Sequence, residues 1–493
     1  MEHRHIRNFI DGEWRESLSG DRKAVINPAT GEEIATHTNS AAEDARSAIE
    51  SARKAFDGSG EWRRMDAQKR ADIIFKIADK IEERAGELAR AECLNNGKPL
   101  REAEADVSDA AHCFRYYAGL ITKPHGSVYN VNESFGKMRS FTVREPIGVC
   151  GLITPWNYPL LMGIWKIAPA LVAGNCIVYK PSSNTPLSSG ILFEIFDEIG
   201  LPRGTANMVI GPGSSVGTTL AESGDVDMVT FTGSTEVGQD IARRAAGSLK
   251  KIGLELGGKS PNIIFADADL EGAVEWAMIG IFFNQGEVCS AGSRIIIEKS
   301  LEKQFMKRFA ERAEAITLGN PLDNPDMGPL ISESHMNTVL KYIEIGKAEG
   351  ARCVCGGYRY TEGPCASGFF VRPTIFDQCT PDMRIVREDI FGPVATVQTF
   401  ETEDEAIRIA NDSEYGLAGA VFTTDGARAL RVVDELRAGI TWVNCYNPCF
   451  TEAPWGGYKK SGIGRDLGVE GFEEYQEVKQ VNINLTPGPI GWY

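Results

Sequence analysis

Cys289 stands in Phe283-Asn284-Gln285-Gly286-Glu287-Val288-Cys289-Ser290-Ala291-Gly292-Ser293-Arg294, three positions after a glycine and among small and polar residues. A second segment, Leu254-Glu255-Leu256-Gly257-Gly258-Lys259, lies 34 residues upstream and offers a carboxylate. A thiol paired with a separate acid points to covalent catalysis, with the sulfur as nucleophile and the carboxylate as base. A cysteine taken by itself is more often a buried apolar side chain. The pairing of the two segments is what favours chemistry over packing here.

Together the two segments resemble the active-site signatures of the aldehyde dehydrogenase superfamily. The likeness runs from Phe9-Ile10-Asp11-Gly12-Glu13-Trp14 to the end of the chain. It implies oxidation of an aldehyde to a carboxylic acid. Cys289 attacks the carbonyl and gives a thiohemiacetal. Asn157, in Trp156-Asn157-Tyr158-Pro159, and the Cys289 backbone N–H supply donors for the oxyanion. Hydride leaves for a nicotinamide, and Glu255 activates the water that hydrolyses the thioester. A carboxylate near its ordinary pKa of about 4.3 is a poor base at neutral pH, so burial should raise it. Lys166, in Ile164-Trp165-Lys166, matches a lysine assigned to proton handling. Asp466, in Gly464-Arg465-Asp466-Leu467-Gly468, stands where the family has glutamate and is shorter by a methylene.

The resemblance also implies a dinucleotide, NAD or NADP. Phe231-Thr232-Gly233-Ser234-Thr235-Glu236-Val237-Gly238 follows a predicted strand and opens a predicted helix. Ser234 or Thr235 would cap that helix and leave its free N–H groups facing a phosphate. This is not the Gly-x-Gly-x-x-Gly fingerprint, but it is similar to the family's pyrophosphate turn. Gly211-Pro212-Gly213 matches a turn near the adenine, and Ile153-Thr154-Pro155-Trp156 and Tyr179-Lys180-Pro181-Ser182 match two further cofactor motifs. Gly257 joins the same wall. Lys180 would bond the adenosine ribose. Ser183 replaces the glutamate by which many NAD-preferring members hold both ribose hydroxyls, so NADP is expected to be accepted. Glu388-Asp389-Ile390-Phe391-Gly392-Pro393 is similar to Glu-Glu-x-Phe-Gly-Pro. Asp389, or Glu388 in its stead, would hold the nicotinamide ribose, and Phe391 would pack beside the nicotinamide.

Within the superfamily the chain looks most like betaine aldehyde and aminoaldehyde dehydrogenases. Tyr158, Trp165 and Trp455 match three positions of an aromatic cage for a quaternary ammonium group, whose charge ring faces attract. Phe283 stands where some members place tryptophan. Cys449 opens the matching segment Cys449-Phe450-Thr451-Glu452-Ala453-Pro454-Trp455. Ile440 occupies a position where some plant relatives carry a smaller residue. The lead substrate is betaine aldehyde, giving glycine betaine. The alternative is a broad-range aliphatic, aromatic or ω-aminoaldehyde dehydrogenase. A reading from another class, a cysteine hydrolase or acyltransferase, needs a histidine partner, and none lies within these motifs.

Elements must bring these residues together. With 493 residues the chain exceeds one hydrophobic core. Short apolar runs at 148–154, 176–179, 207–210 and 228–231 alternate with helical stretches at 187–199, 216–223 and 236–246. That alternation predicts an α/β fold with a doubly wound parallel sheet. A second alternating region at 257–445 includes Ile263-Ile264-Phe265, a helix over 270–282, a strand over 294–298 and a helix over 301–316. Ala41 to Phe56 and Ala67 to Ala91 have helical spacing. The stretch 122–142, punctuated by Pro124, Gly126 and Gly136, predicts an extended hairpin, and 478–483 an edge strand.

The expected division is a dinucleotide-binding domain at 1–122 and 147–256, a second α/β catalytic domain at 257–457, and a small β arm at 123–146 and 472–493. By resemblance that arm makes a homo-oligomer, dimer or tetramer; a free strand edge is otherwise an aggregation hazard. A net charge of −16 argues against a nucleic-acid partner or an anionic membrane surface. The first eleven residues lack the apolar stretch of a signal peptide, and no apolar run of bilayer length occurs, so a cytoplasmic location is expected. Eleven cysteines are too sparse for a disulfide scaffold. Cys353-Val354-Cys355 has no second pair or suitably spaced histidine beside it, His335 included, so no metal site is expected.

Overall fold

The computed structural model describes residues 4–123, 126–132 and 136–491; Pro124 lies outside them. Strands Val149–Ile153, Cys176–Lys180 and Met228–Thr232 are buried at every position. Runs without a polar face fit only a sheet covered on both sides, the setting of parallel strands. They lie in an eight-stranded sheet whose spatial order is Gly462–Ile463, Lys251–Glu255, Met228–Thr232, Val149–Ile153, Cys176–Lys180, Ala206–Met208, Asn8–Ile10, Glu13–Arg15. The five strands from Lys251–Glu255 to Ala206–Met208 run parallel. Register pairs Thr232 with Glu255, Phe231 with Ile153 and Ile153 with Lys180, so their carboxyl ends form one rim. In open α/β sheets such a rim is where ligands bind.

A seven-stranded sheet follows, in the order Arg352–Cys355, Thr374–Asp377, Val394–Phe400, Arg294–Glu298, Pro261–Ile264, Ala418–Phe422, Ile440–Val443. Only its first pair, Arg352–Cys355 with Thr374–Asp377, is antiparallel. Glu255 closes a strand of the first sheet, and six residues later Pro261 opens a strand of the second. Cys289 lies between helix Leu270–Phe282 and strand Arg294–Glu298 of the second sheet. The carboxylate and the thiol therefore sit on loops at the junction of the two sheets.

A third sheet pairs Gln476–Asn484 antiparallel with Met138–Pro146, which also pairs with Val128–Tyr129. The expected hairpin and tail strand thus meet each other along nine register pairs. Gly462–Ile463 returns to the first sheet beside Lys251–Glu255, and this carries Asp466 back to that rim.

Two elements differ from the periodicity. The helix expected over 67–91 breaks at Arg84 into Ala67–Glu83 and Ala85–Asn96. Arg84 leaves helical geometry (φ −102°, ψ 17°) while its guanidinium bonds Glu87, Glu194 and Glu198, so tertiary ion pairs override a continuous pattern. The first forty residues, unassigned from sequence, supply two strands to the large sheet and a three-stranded sheet of Arg4–Ile6, Glu33–Thr38 and Arg22–Ile26. Helix Pro159–Ala173 starts on proline, ends at left-handed Gly174 (φ 98°), and is buried at all fifteen positions. Lys166 therefore enters the core. Among the described residues no helix is long and apolar enough to cross a membrane.

Candidate active site

A cleft of about 520 Å³ opens at the rim of the first sheet, and Cys289, Glu255 and Asn157 all line it. Cys289 is half-buried, and its thiol is pushed up to about 12 by burial, with the Glu255 charge adding to the effect. Gly258 lets the loops touch: a Cβ there would lie 2.5 Å from the Cys289 carbonyl oxygen. Glu255 is 7% exposed, and among the described residues neither carboxyl oxygen has a hydrogen-bond partner. Burial lifts it well above the carboxylate range and the Asp466 charge pushes the same way, while Lys166 and Arg465 oppose. An unbonded buried carboxyl facing a cleft is what a proton acceptor needs before its water arrives.

The Asp466 carboxylate accepts from Lys166 Nζ at 2.7 Å, and both side chains are buried. The shorter acid thus still reaches the lysine. Lys166 and Asp466 stand behind Glu255 as a paired charge, outside the cleft lining.

Asn157 is 4% exposed and donates from Nδ2 to the Glu287 carbonyl at 2.9 Å. An amide nitrogen carries two hydrogens, so one N–H remains for the cleft. The nucleophile loop reaches Cys289 through left-handed Asn284 (φ 47°) and Gln285 (φ 58°).

The cofactor residues line the same rim. Ser234 caps helix Thr235–Ala245, accepting from Val237 N, and Gly233, Ser234, Thr235 and Glu236 face the cleft. A helix N-terminus opening into a cleft suits a pyrophosphate, so the residues present fit a dinucleotide. Pro155, Trp156, Gly257, Glu388, Asp389 and Phe391 line the cleft as well. Trp156 and Phe391 meet edge to face at 5.4 Å. Asp389 approaches Gly257 so closely that a Cβ there would lie 2.7 Å from Oδ2. Burial raises Asp389 to about 6, against Lys259 and against hydrogen bonds from the Phe391 and Gly258 backbones. Glu388 is instead held by Arg384 and by the Tyr342 hydroxyl at 2.7 Å, which keep it low.

Ile153, Thr154, Lys180, Ser182, Ser183, Gly213 and Phe231 stand along or beyond the strand ends, outside the cleft lining. Thr154 Oγ1 shares a hydrogen bond with the Tyr179 hydroxyl at 3.0 Å, and Asn184 N donates to Ser182 Oγ. Gly213 is exposed and opens a tight turn over 213–217, with the helix expected over 216–223 reduced to Thr218–Glu222. Lys180 is buried and donates to the Pro181 carbonyl; burial lowers it to about 8, and Lys23 adds to the effect. The Ser183 hydroxyl donates to the Gly211 carbonyl at 3.0 Å. Its proton is already engaged, a point its sequence position does not reveal.

The residues expected to meet the substrate do not share the cleft lining either. Trp165 and Trp455 are buried and meet edge to face at 5.6 Å, with Trp442 behind Trp455 at 6.3 Å. Tyr158 precedes helix Pro159–Ala173, and one face of its ring is covered by the Lys98 ammonium 3.9 Å from the centroid. Lys98 is fully buried and paired with Asp106 at 2.5 Å. Phe283 lines a separate hollow of about 420 Å³ with Met278, Phe282 and Arg312. Ile440 opens an edge strand opposite Ala418, and Cys449 is exposed on the loop after that strand.

Sequence reasoning missed Lys98, whose partners are close only in space. It also left His335 unassigned. That ring lines the cleft between Trp156 and Phe391, and its Nε2 bonds the Phe391 carbonyl at 2.7 Å. Burial lowers its pKa.

Residues 14–481 match the profile of the aldehyde dehydrogenase family. Betaine aldehyde dehydrogenase of Bacillus subtilis is 50% identical over 486 residues, covering 98% of this chain and 99% of that protein. Human retinal dehydrogenase 2 is 46% identical over 488 residues, 98% of this chain and 93% of that protein. A crystal structure of Staphylococcus aureus betaine aldehyde dehydrogenase in complex with NAD+ superposes with a TM-score of 0.96 at 47% identity, covering 99% of this chain and 96% of that one.

Proposed function

The chain belongs to the aldehyde dehydrogenase family, and from that premise we propose that it oxidises betaine aldehyde to glycine betaine, with NAD or NADP as acceptor. The observation that carries the chemistry is the convergence of Cys289, Glu255 and Asn157 on one cleft at the rim of the dinucleotide-type sheet.

Cys289 gives up its thiol proton to solvent in the cleft and adds as thiolate to the aldehyde carbon, the carbonyl π pair moving to oxygen. The free N–H of Asn157 and the Cys289 backbone N–H take the charge that develops on oxygen, where prearranged donors act most strongly. A nicotinamide bound in the cleft supplies the acceptor for the hydride that leaves the thiohemiacetal carbon. Cys289 is then a thioester. Glu255, unbonded and raised by burial, takes a proton from the water that attacks it. The Lys166–Asp466 pair behind Glu255 holds the field that sets its protonation. Thr235 and Ser234 would hold the pyrophosphate, Lys180 the adenosine ribose and Asp389 the nicotinamide ribose. Asp389 is preferred to Glu388 because it abuts Gly257 beside the Cys289 loop, whereas Glu388 is spent on Arg384 and Tyr342. NADP is accepted because no carboxylate stands at Ser183 to repel a 2′-phosphate, and the hydroxyl turns from Gly211 to meet it.

Names of relatives and the tryptophan pair Trp165–Trp455 support betaine aldehyde. One observation favours the broader reading, in which neutral and ω-amino aldehydes are oxidised as well: the Lys98 ammonium already uses one face of Tyr158. Residues 1–122 and 147–256 are assigned to cofactor binding and 257–457 to catalysis. The arm expected at 123–146 and 472–493 joins a second copy through the sheet of Val128–Tyr129, Met138–Pro146 and Gln476–Asn484, whose edge strand exposes Val478 and Ile483. Rates with betaine aldehyde, 3-aminopropanal, 4-aminobutanal and benzaldehyde, each with NAD and NADP, test the proposal through the absorbance of reduced nicotinamide. Betaine aldehyde should give the highest kcat/KM. A flat panel supports the broader reading, and no reduction with any pair refutes both.

A further inference from the structure

Two asparagines that no motif reading assigns converge on the backbone of Asn157. Asn96 Nδ2 donates to the Trp156 carbonyl at 3.0 Å and the Asn157 carbonyl at 3.2 Å. Asn284 Nδ2 donates to the same Asn157 carbonyl at 3.0 Å and to the Glu287 carbonyl at 3.1 Å. The Glu287 carbonyl is also the acceptor for Asn157 Nδ2. Both asparagines are fully buried. Asn96 arrives from the end of helix Ala85–Asn96, and Asn284 from the loop five residues before Cys289.

The consequence is a closed set of bonds. The peptide oxygen of Asn157 is pinned from two sides. The carbonyl that takes one side-chain hydrogen of Asn157 is pinned by the same nitrogen of Asn284. With backbone and first N–H both fixed, the second N–H has a single direction, the direction on which oxyanion stabilisation depends. Asn284 also explains the strained loop. Its left-handed backbone (φ 47°) is one that asparagine tolerates better than most residues, and its own N–H is held by Glu102 Oε2 at 3.0 Å.

We infer that Asn96 and Asn284 are positioning residues for the oxidation, setting the aim of the Asn157 amide rather than touching substrate. The inference rests on the oxyanion role proposed for Asn157. Displacing a catalytic group by about 1 Å can cost on the order of a hundredfold in rate.

The test uses the full-length enzyme with betaine aldehyde and NAD. Asn284→Asp keeps the shape and the tolerance for left-handed backbone but donates neither bond. Asn284→Gly keeps the backbone and removes the side chain. Both should lower kcat by roughly 10- to 100-fold. KM for NAD and the rate of Cys289 alkylation by iodoacetamide, a reaction without an oxyanion, should stay within about threefold. In the Asn157→Ala background, Asn284→Asp should add almost nothing, because the two act through one amide. If Asn284→Asp fails to fold, Asn96→Asp removes the pin on the other side and carries the same expectation.

Unchanged kcat in these variants overturns the inference. So does a parallel fall in kcat and alkylation, which would mean that the loop had simply moved, or an independent loss in the double variant. Should Asn157→Ala itself leave kcat intact, the oxyanion assignment fails instead, and the two failures are thereby distinguished.

Discussion

Glu255→Gln should move two rates of the same enzyme in opposite directions. Burial holds the Cys289 thiol at about 12, against an ordinary value of 9.0. The difference corresponds to roughly 4 kcal/mol against the thiolate at about 1.4 kcal/mol per unit. Near neutral pH only a very small fraction of the thiol is ionised. Since thiolate is the reactive form, alkylation by iodoacetamide should be slow and rise about tenfold per pH unit, without levelling, through pH 10. The Glu255 charge is the second cause of that elevation, after burial. Where Glu255 is ionised, replacing it with the neutral amide lowers the thiol pKa, so alkylation at a fixed alkaline pH should become faster, by up to about tenfold.

Aldehyde oxidation should respond in the contrary sense. Without its base the thioester persists, and steady-state turnover should fall by roughly 10²- to 10⁴-fold. The first turnover should still release about one equivalent of reduced nicotinamide per site before the rate collapses. Stopped-flow absorbance measures the burst, and mass spectrometry measures alkylation at Cys289. A plateau in alkylation below pH 8.5, slower alkylation in Glu255→Gln, or a missing burst would each refute the reasoning.

Three further outcomes are expected. Asn157→Ala should lower kcat by about 10²- to 10³-fold with NAD affinity retained, as read by quenching of protein fluorescence. Ser183→Glu should reduce kcat/KM for NADP by more than about a hundredfold, a repulsion of roughly 3 kcal/mol, and leave NAD within about fivefold; equal effects on both cofactors would show that position 183 does not face the 2′-carbon. Lys166→Met leaves Asp466 buried and unpaired, which should destabilise the fold by about 3–5 kcal/mol in a urea titration, while Lys166→Met with Asp466→Leu should recover most of that loss.

Much of the site was legible because its residues sit in short contiguous motifs. Cys289, Glu255 and Asn157 are each recognisable within a few neighbours, and all three meet in one cleft. The strand that leads to Asn157, Val149–Ile153, is an unbroken apolar run, and the helices over 187–199 and 270–282 fall where the spacing places them. Other features were not legible, for different reasons. The break at Arg84 is made by acids from another helix, Glu194 and Glu198, which no local window contains. In the first forty residues the strands are short, and Asn8–Ile10 is fixed in the large sheet by Ala206–Met208, a partner almost two hundred residues away.

Residue type and local motif were enough to propose Cys289 as nucleophile, Glu255 as base and Asn157 as amide donor. Only the tertiary structure decided their state and aim. The thiol and the carboxyl are raised by burial, the Ser183 hydroxyl donates to the Gly211 carbonyl, Lys98 covers Tyr158, and Asn96 and Asn284 both donate to the Asn157 carbonyl. The physical reason is that desolvation, Coulomb interaction and hydrogen-bond direction depend on separation in space. In this fold the groups that exert them are tens to hundreds of residues apart along the chain.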